Sequence, residues 1–113
     1  MITNTAIDWG KRITVEDKKR QQHERAFAVW KRERQAAVDA ITAIVDGMVF
    51  DGNEASQNRM ARVIASADDM EQTAEWTLAN NSVATVSMAQ LKQALAMATE
   101  LQTAIWNEGR PTL

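Results

Sequence analysis

Cysteine and tyrosine are absent from this 113-residue chain, and histidine and proline occur once each. Without cysteine there is no disulfide framework, no thiolate metal site and no thiol nucleophile. The absence fits a reducing compartment or a protein that makes no use of redox chemistry. His23 stands alone in the polar run EDKKRQQHER, with no second His, no Cys and no Ser partner beside it. A metal centre there would need at least two more ligands from elsewhere, so His23 is read as solvated. No GxSxG, P-loop, GxGxxG or HExxH motif is present. No window approaches the ~18 apolar residues of a membrane span. The opening MITNTAIDWGKR lacks an apolar run behind a basic start, so a signal peptide is not expected. The expectation is a soluble, non-enzymatic protein with no cofactor and no metal.

Hydrophobic residues make up 45% of the chain, enough for one packed core. The net charge of −2 conceals an asymmetry: residues 1–34 sum to +4 and residues 35–113 to −6. A basic arm on an acidic body calls for an explanation.

No Gly or Pro falls between Gly10 and Gly47, which predicts one long helix. Thr14 is its N-cap, and Asp17 suits the positive end of the dipole. Phe27, Trp30, Ala37, Val38, Ile41, Ile44, Val45 and Met48 recur at helical spacing, with Arg34 interrupting their face. Before Phe27 the helix has no apolar face; Glu16/Arg20 and Arg20/Glu24 are its i,i+4 pairs. Running from Val15 to Asp46, it would be roughly 48 Å long. Gly47 would end it.

Val49-Phe50 reads as a short strand, Asp51-Gly52 as a turn, and Asn53 as the cap of a second helix facing inward on Met60, Val63, Ile64 and Ala67. Arg59 or Arg62 is expected to reach back to a carboxylate or a loop carbonyl. The segment DGNEASQNRMAR fails as a calcium loop, because its fifth position is Ala55 and its twelfth Arg62. Asp51 and Glu54 are explained by turn and cap roles without chemistry. EWTLANNSVATVS predicts a hairpin turning on Asn80-Asn81. Leu78 would face Val83 and Trp76 would face Thr85, all four on one face. Ser87-Met88-Ala89-Gln90 is a capping box, with Val86 and Leu91 as its hydrophobic staple. The last helix turns inward Met88, Leu91, Leu95, Ala98, Leu101 and Ile105, carries Trp106 near its end, and stops at Gly109 and Pro111. The fold class is α+β, mainly helical: long N-terminal helix, short strand, helix, β-hairpin, C-terminal helix. Residues 1–33 form an arm with the basic first half of the helix; residues 34–113 form the small domain.

The series RQAAVDAI, VFDGNEASQNRM, EWTLANNSVATVSMAQL and a closing helix resembles a domain of unknown function of tailed bacteriophages. That domain recurs at the C-termini of tail fibre and tail fibre assembly proteins. Its pattern falls here on Arg34, Phe50, Asp51, Ser56, Arg59, Met60, Trp76, Asn80, Asn81, Ser87 and Leu91. The resemblance covers about residues 34–106 and leaves residues 1–33 outside. It implies a phage tail context, in the virion or in the host cytoplasm during assembly. The expected partners are tail fibre, baseplate or tail-tip subunits, bound through Trp9, Arg20, Phe27, Trp30 and Arg34. The chain would serve as a structural component or an assembly chaperone, and its first helix could also self-associate. Trp9, beside Gly10 in an aperiodic arm, either folds back or fills a partner's pocket. The alternative is a small nucleic-acid-binding regulator using the basic helix, although acids interleave that helix throughout.

Overall fold

A computed structural model of the chain describes residues 14–111; Trp9 lies outside them. The fold is α+β, with three helices and two two-stranded antiparallel sheets among the described residues. The order is α1 (Val15–Asp39), β1 (Thr42–Val45), β2 (Met48–Asp51), α2 (Glu54–Ser66), β3 (Thr73–Thr77), β4 (Val83–Ser87) and α3 (Met88–Asn107). No described helix is long and apolar enough to cross a membrane. The chain divides into two compact units, with boundaries after Arg32 and after Glu108.

α1 begins as its sequence predicts. The Asp17 amide donates to Thr14 Oγ1 (3.0 Å) and the Thr14 amide to Asp17 Oδ2 (3.3 Å), satisfying two amides at the helix start. Its 25 residues span about 38 Å. It ends at Asp39, not at Asp46. The Ile41 amide turns to the Val38 carbonyl (3.1 Å), and the chain leaves the helix there.

Residues 42–51 form a hairpin where the sequence predicted the end of a helix and a lone strand. Ile41, Ala43 and Val45 are buried while Thr42 and Ile44 are exposed, a period of two rather than 3.6. Asp46 (φ 50°) and Gly47 (φ 79°) close it, the paired left-handed conformation of a type I′ turn. Gly47 is therefore a turn residue, not a helix C-cap.

α2 starts where expected: Asn53 Oδ1 accepts from the Ser56 amide at 2.9 Å. Met60 is fully buried, with Val63, Ile64 and Ala67 packed beside it. The second hairpin pairs Trp76 with Ala84 and Thr77 with Val83, a register different from the predicted one. Its loop has three residues, 79–81. The Asn81 amide donates to the Leu78 carbonyl (2.9 Å), the Leu78 amide to the Ser82 carbonyl (2.7 Å), and Asn81 takes φ 68°. That is a type I turn followed by a left-handed residue. The extra loop residue shifts the partner strand by one and so reverses its faces. Val83 is 61% exposed and Thr85 is also outside, while Val86 is fully buried.

α3 carries the predicted capping box, with Gln90 N to Ser87 Oγ at 3.1 Å and Ser87 N to Gln90 Oε1 at 2.9 Å. Val86 and Leu91, the staple pair, are both fully buried. Ala94 takes an inner position, whereas Leu101 is 45% exposed, so the inward face differs from the expected one. One core cluster joins both hairpins, α2 and the first half of α3 around Phe50, Met60, Trp76, Met88 and Leu91. A smaller cluster of Val38, Ile41 and Ala98 packs with Ile105 and Trp106. Gly52 sits against the smaller one: a Cβ there would meet Ile41 Cγ2 at 2.6 Å and Ala98 Cβ at 3.0 Å. Close approach, more than turn flexibility, is what requires glycine.

Candidate functional site

The expected docking residues on the first half of α1 form a strip of rings and cations. Phe27 is half-buried between the His23 ring (centroids 6.0 Å apart) and the Trp30 ring (5.4 Å). Lys31 Nζ lies 5.5 Å from the Phe27 centroid, a distance at which the ring face attracts the ammonium. His23, Glu24, Phe27, Ala28 and Lys31 line an open groove of ≈ 370 Å³ there. His23 is thus half-buried against a ring rather than fully solvated. Trp30 is only 5% exposed, and the Arg110 guanidinium lies 5.4 Å from its ring. It is an interior residue, which leaves Phe27 as the apolar ring of this groove; the 42% exposed Val29 stands two positions on and nearly opposite it around the helix. Arg20 pairs with Asp17 at 3.4 Å, an i,i+3 pair in place of the predicted i,i+4 pairs with Glu16 and Glu24. Both side chains are largely solvated, so the pair contributes little to stability.

Arg34 lies one turn before the buried Val38 on α1. It is half-buried, and its Nε is enclosed without a hydrogen-bond partner.

The remaining motif residues are mainly structural. Phe50, Met60, Trp76 and Leu91 are core side chains. Ser56 donates its amide to the Asn53 cap, and Ser87 is itself a cap. Asn80 Oδ1 accepts from the Ser82 amide at 3.0 Å and Asn81 supplies the left-handed residue. Asp51 and Arg59 are exposed. Neither Arg59 nor Arg62 reaches back to the loop. Gln57 does: its Nε2 donates to the Gly52 carbonyl and to Gln102 Oε1, both at 2.8 Å. Sequence reading missed this amide pair, because 45 positions separate its members and neither stands in a motif. Among the described residues, no group of three or more His, Asp or Glu is placed to hold a metal ion.

A family model described as a domain of unknown function (DUF4376) matches residues 18–110. The chain belongs to the DUF4376 family. No curated protein and no solved structure matches it. The DUF4376 match extends the related region beyond 34–106 and takes in most of α1, while residues 1–17 stay outside it. The Phe27 strip, the motif core and the Gln57–Gln102 pair therefore all lie inside the DUF4376 region.

Proposed function

We propose that this DUF4376 protein is a non-enzymatic bacteriophage tail protein that docks on tail fibre or tail-tip subunits. It would act as a virion component or as a fibre assembly factor. The tail context rests on the resemblance carried by Arg34, Phe50, Asp51, Ser56, Arg59, Met60, Trp76, Asn80, Asn81, Ser87 and Leu91. The observation that supports docking is the first half of α1, where Phe27 holds apolar surface in a groove bordered by Lys31 and His23. An apolar anchor with a charged rim suits a protein partner, since the anchor supplies affinity and the rim supplies register. The motif residues, by contrast, mainly build caps, turns and core, and so hold the shape that a partner reads.

The test is co-purification of the tagged full-length chain from infected cells, beside a mass-spectrometric inventory of purified particles. Recovery of a fibre or tail-tip protein, lost in Phe27→Ala, is the expected result. Presence in particles would make the chain a tail component; presence only in lysate would make it an assembly factor. Absence of tail proteins from the eluate, with DNA binding that falls steeply with salt, would overturn the proposal in favour of a nucleic-acid regulator.

A further inference from the structure

A second groove, of ≈ 330 Å³, runs between α2 and the last turns of α3. Gln57, Thr99, Gln102, Thr103, Trp106 and Asn107 line it. None of the six is ionisable, in a chain where a quarter of the residues are charged. A charged ligand would find no counter-charge in this lining, so the groove suits a neutral one. Its wall combines one indole with amides and hydroxyls.

The amide pair is pre-set. Gln57 uses Nε2 on the Gly52 carbonyl and on Gln102 Oε1. Both amide hydrogens of Gln57 are thereby engaged, which leaves its Oε1 as an acceptor. Gln102 has its carbonyl engaged, which leaves its NH₂ as a donor. The two side chains together offer one acceptor beside one donor group. Adjacent hydroxyls match that pair, one donating and its neighbour accepting. Thr103 Oγ1 gives its hydrogen to the Thr99 carbonyl at 2.9 Å, so its lone pairs are oriented as a further acceptor. Trp106 is anchored against the Val38, Ile41 and Ala98 cluster, which fixes the indole at the groove wall. An aromatic face with negative potential attracts the polarised C–H groups on one face of a sugar ring. The groove is open to solvent, and its volume lies at the lower end of the range of small-molecule sites.

We propose that this groove binds a neutral carbohydrate unit. One pyranose ring lies against Trp106, and a pair of its hydroxyls meets Gln57 Oε1 and Gln102 Nε2. The ligand is distinct from the protein partner proposed for α1. Saturation-transfer NMR on the full chain tests it, with methyl α-D-glucopyranoside, N-acetylglucosamine and maltotriose as neutral probes and N-acetylneuraminic acid as the charged one. The expected result is transfer to the ring protons of at least one neutral probe and none to the acid. A trisaccharide binding more tightly than the single rings would identify a glycan chain as the ligand; equal binding would identify the free sugar. Gln102→Glu keeps the acceptor for Gln57 but replaces the donor, so affinity should fall about fivefold with the melting temperature unchanged. Trp106→Ala should abolish transfer, provided circular dichroism shows it folded. No transfer from any neutral probe at millimolar concentration, preference for the acid, or transfer undiminished in Gln102→Glu would each overturn the proposal.

Discussion

The two hairpins have similar lengths and opposite lessons. The first turns in two residues, Asp46 and Gly47, both left-handed; the second turns in three, and only Asn81 is left-handed. In each the turn decides which side chains face the core. In the first, the tight turn pairs Val45 with Met48 and sends Ala43, Val45 and Phe50 inward. In the second, the additional residue pairs Thr77 with Val83 and leaves Val83 outside. The hairpins also meet, as the Ala79 amide in the second loop donates to the Val49 carbonyl on β2 at 2.9 Å. A loop thus occupies part of one strand edge, and such edges otherwise invite association.

Substitutions can break this comparison at graded strengths. Phe50→Ala empties the core beneath the first hairpin and Trp76→Ala that beneath the second. Each should cost about 3–5 kcal/mol in chemical denaturation. Unequal losses would show which hairpin the core depends on more. Gly52→Ala pushes a methyl into Ile41 and Ala98 at the base of the first hairpin. It should cost about 1–3 kcal/mol, whereas the exposed neighbour substitution Asp51→Ala should cost far less. Turn chemistry comes next. Gly47→Ala should lose about 1 kcal/mol because nothing crowds the site yet φ is +79°, while Asn81→Gly should be neutral or slightly stabilising. Smallest of all, Ile44→Thr and Val83→Thr on the outer faces should each stay within about 0.5 kcal/mol. A larger loss at Val83 would mean that the hairpin holds the predicted register in solution.

These contrasts mark what the sequence could and could not convey. Caps were legible because the signal is local: Thr14 with Asp17, Asn53 with Ser56, Ser87 with Gln90. The staple of Val86 and Leu91 was legible for the same reason. The first hairpin was not, because Ile41, Ile44, Val45 and Met48 fit a helical stripe as well as they fit a strand. The β-branched run and Asp46-Gly47 were the signals that should have decided it. The second hairpin was recognised, but one loop residue reversed the face of β4, and Asn80-Asn81 alone does not state whether two or three residues turn. Helical spacing already placed Trp30 on the apolar stripe, whereas the Gln57–Gln102 pair depends on groups 45 positions apart, so no local pattern could announce it.

Gln90 closes the cap of α3 with its carbonyl, and with its Nε2 it donates to Asp46 Oδ2 at 2.9 Å. One side chain therefore ties the start of the last helix to the turn of the first hairpin, 44 positions earlier. The consequence is kinetic. The helix start can order by itself through its local capping box, and the one bond to Asp46 forms only once the distant turn is in place. Gln90→Ala should accordingly slow refolding if the two are already joined at the barrier, and otherwise hasten unfolding.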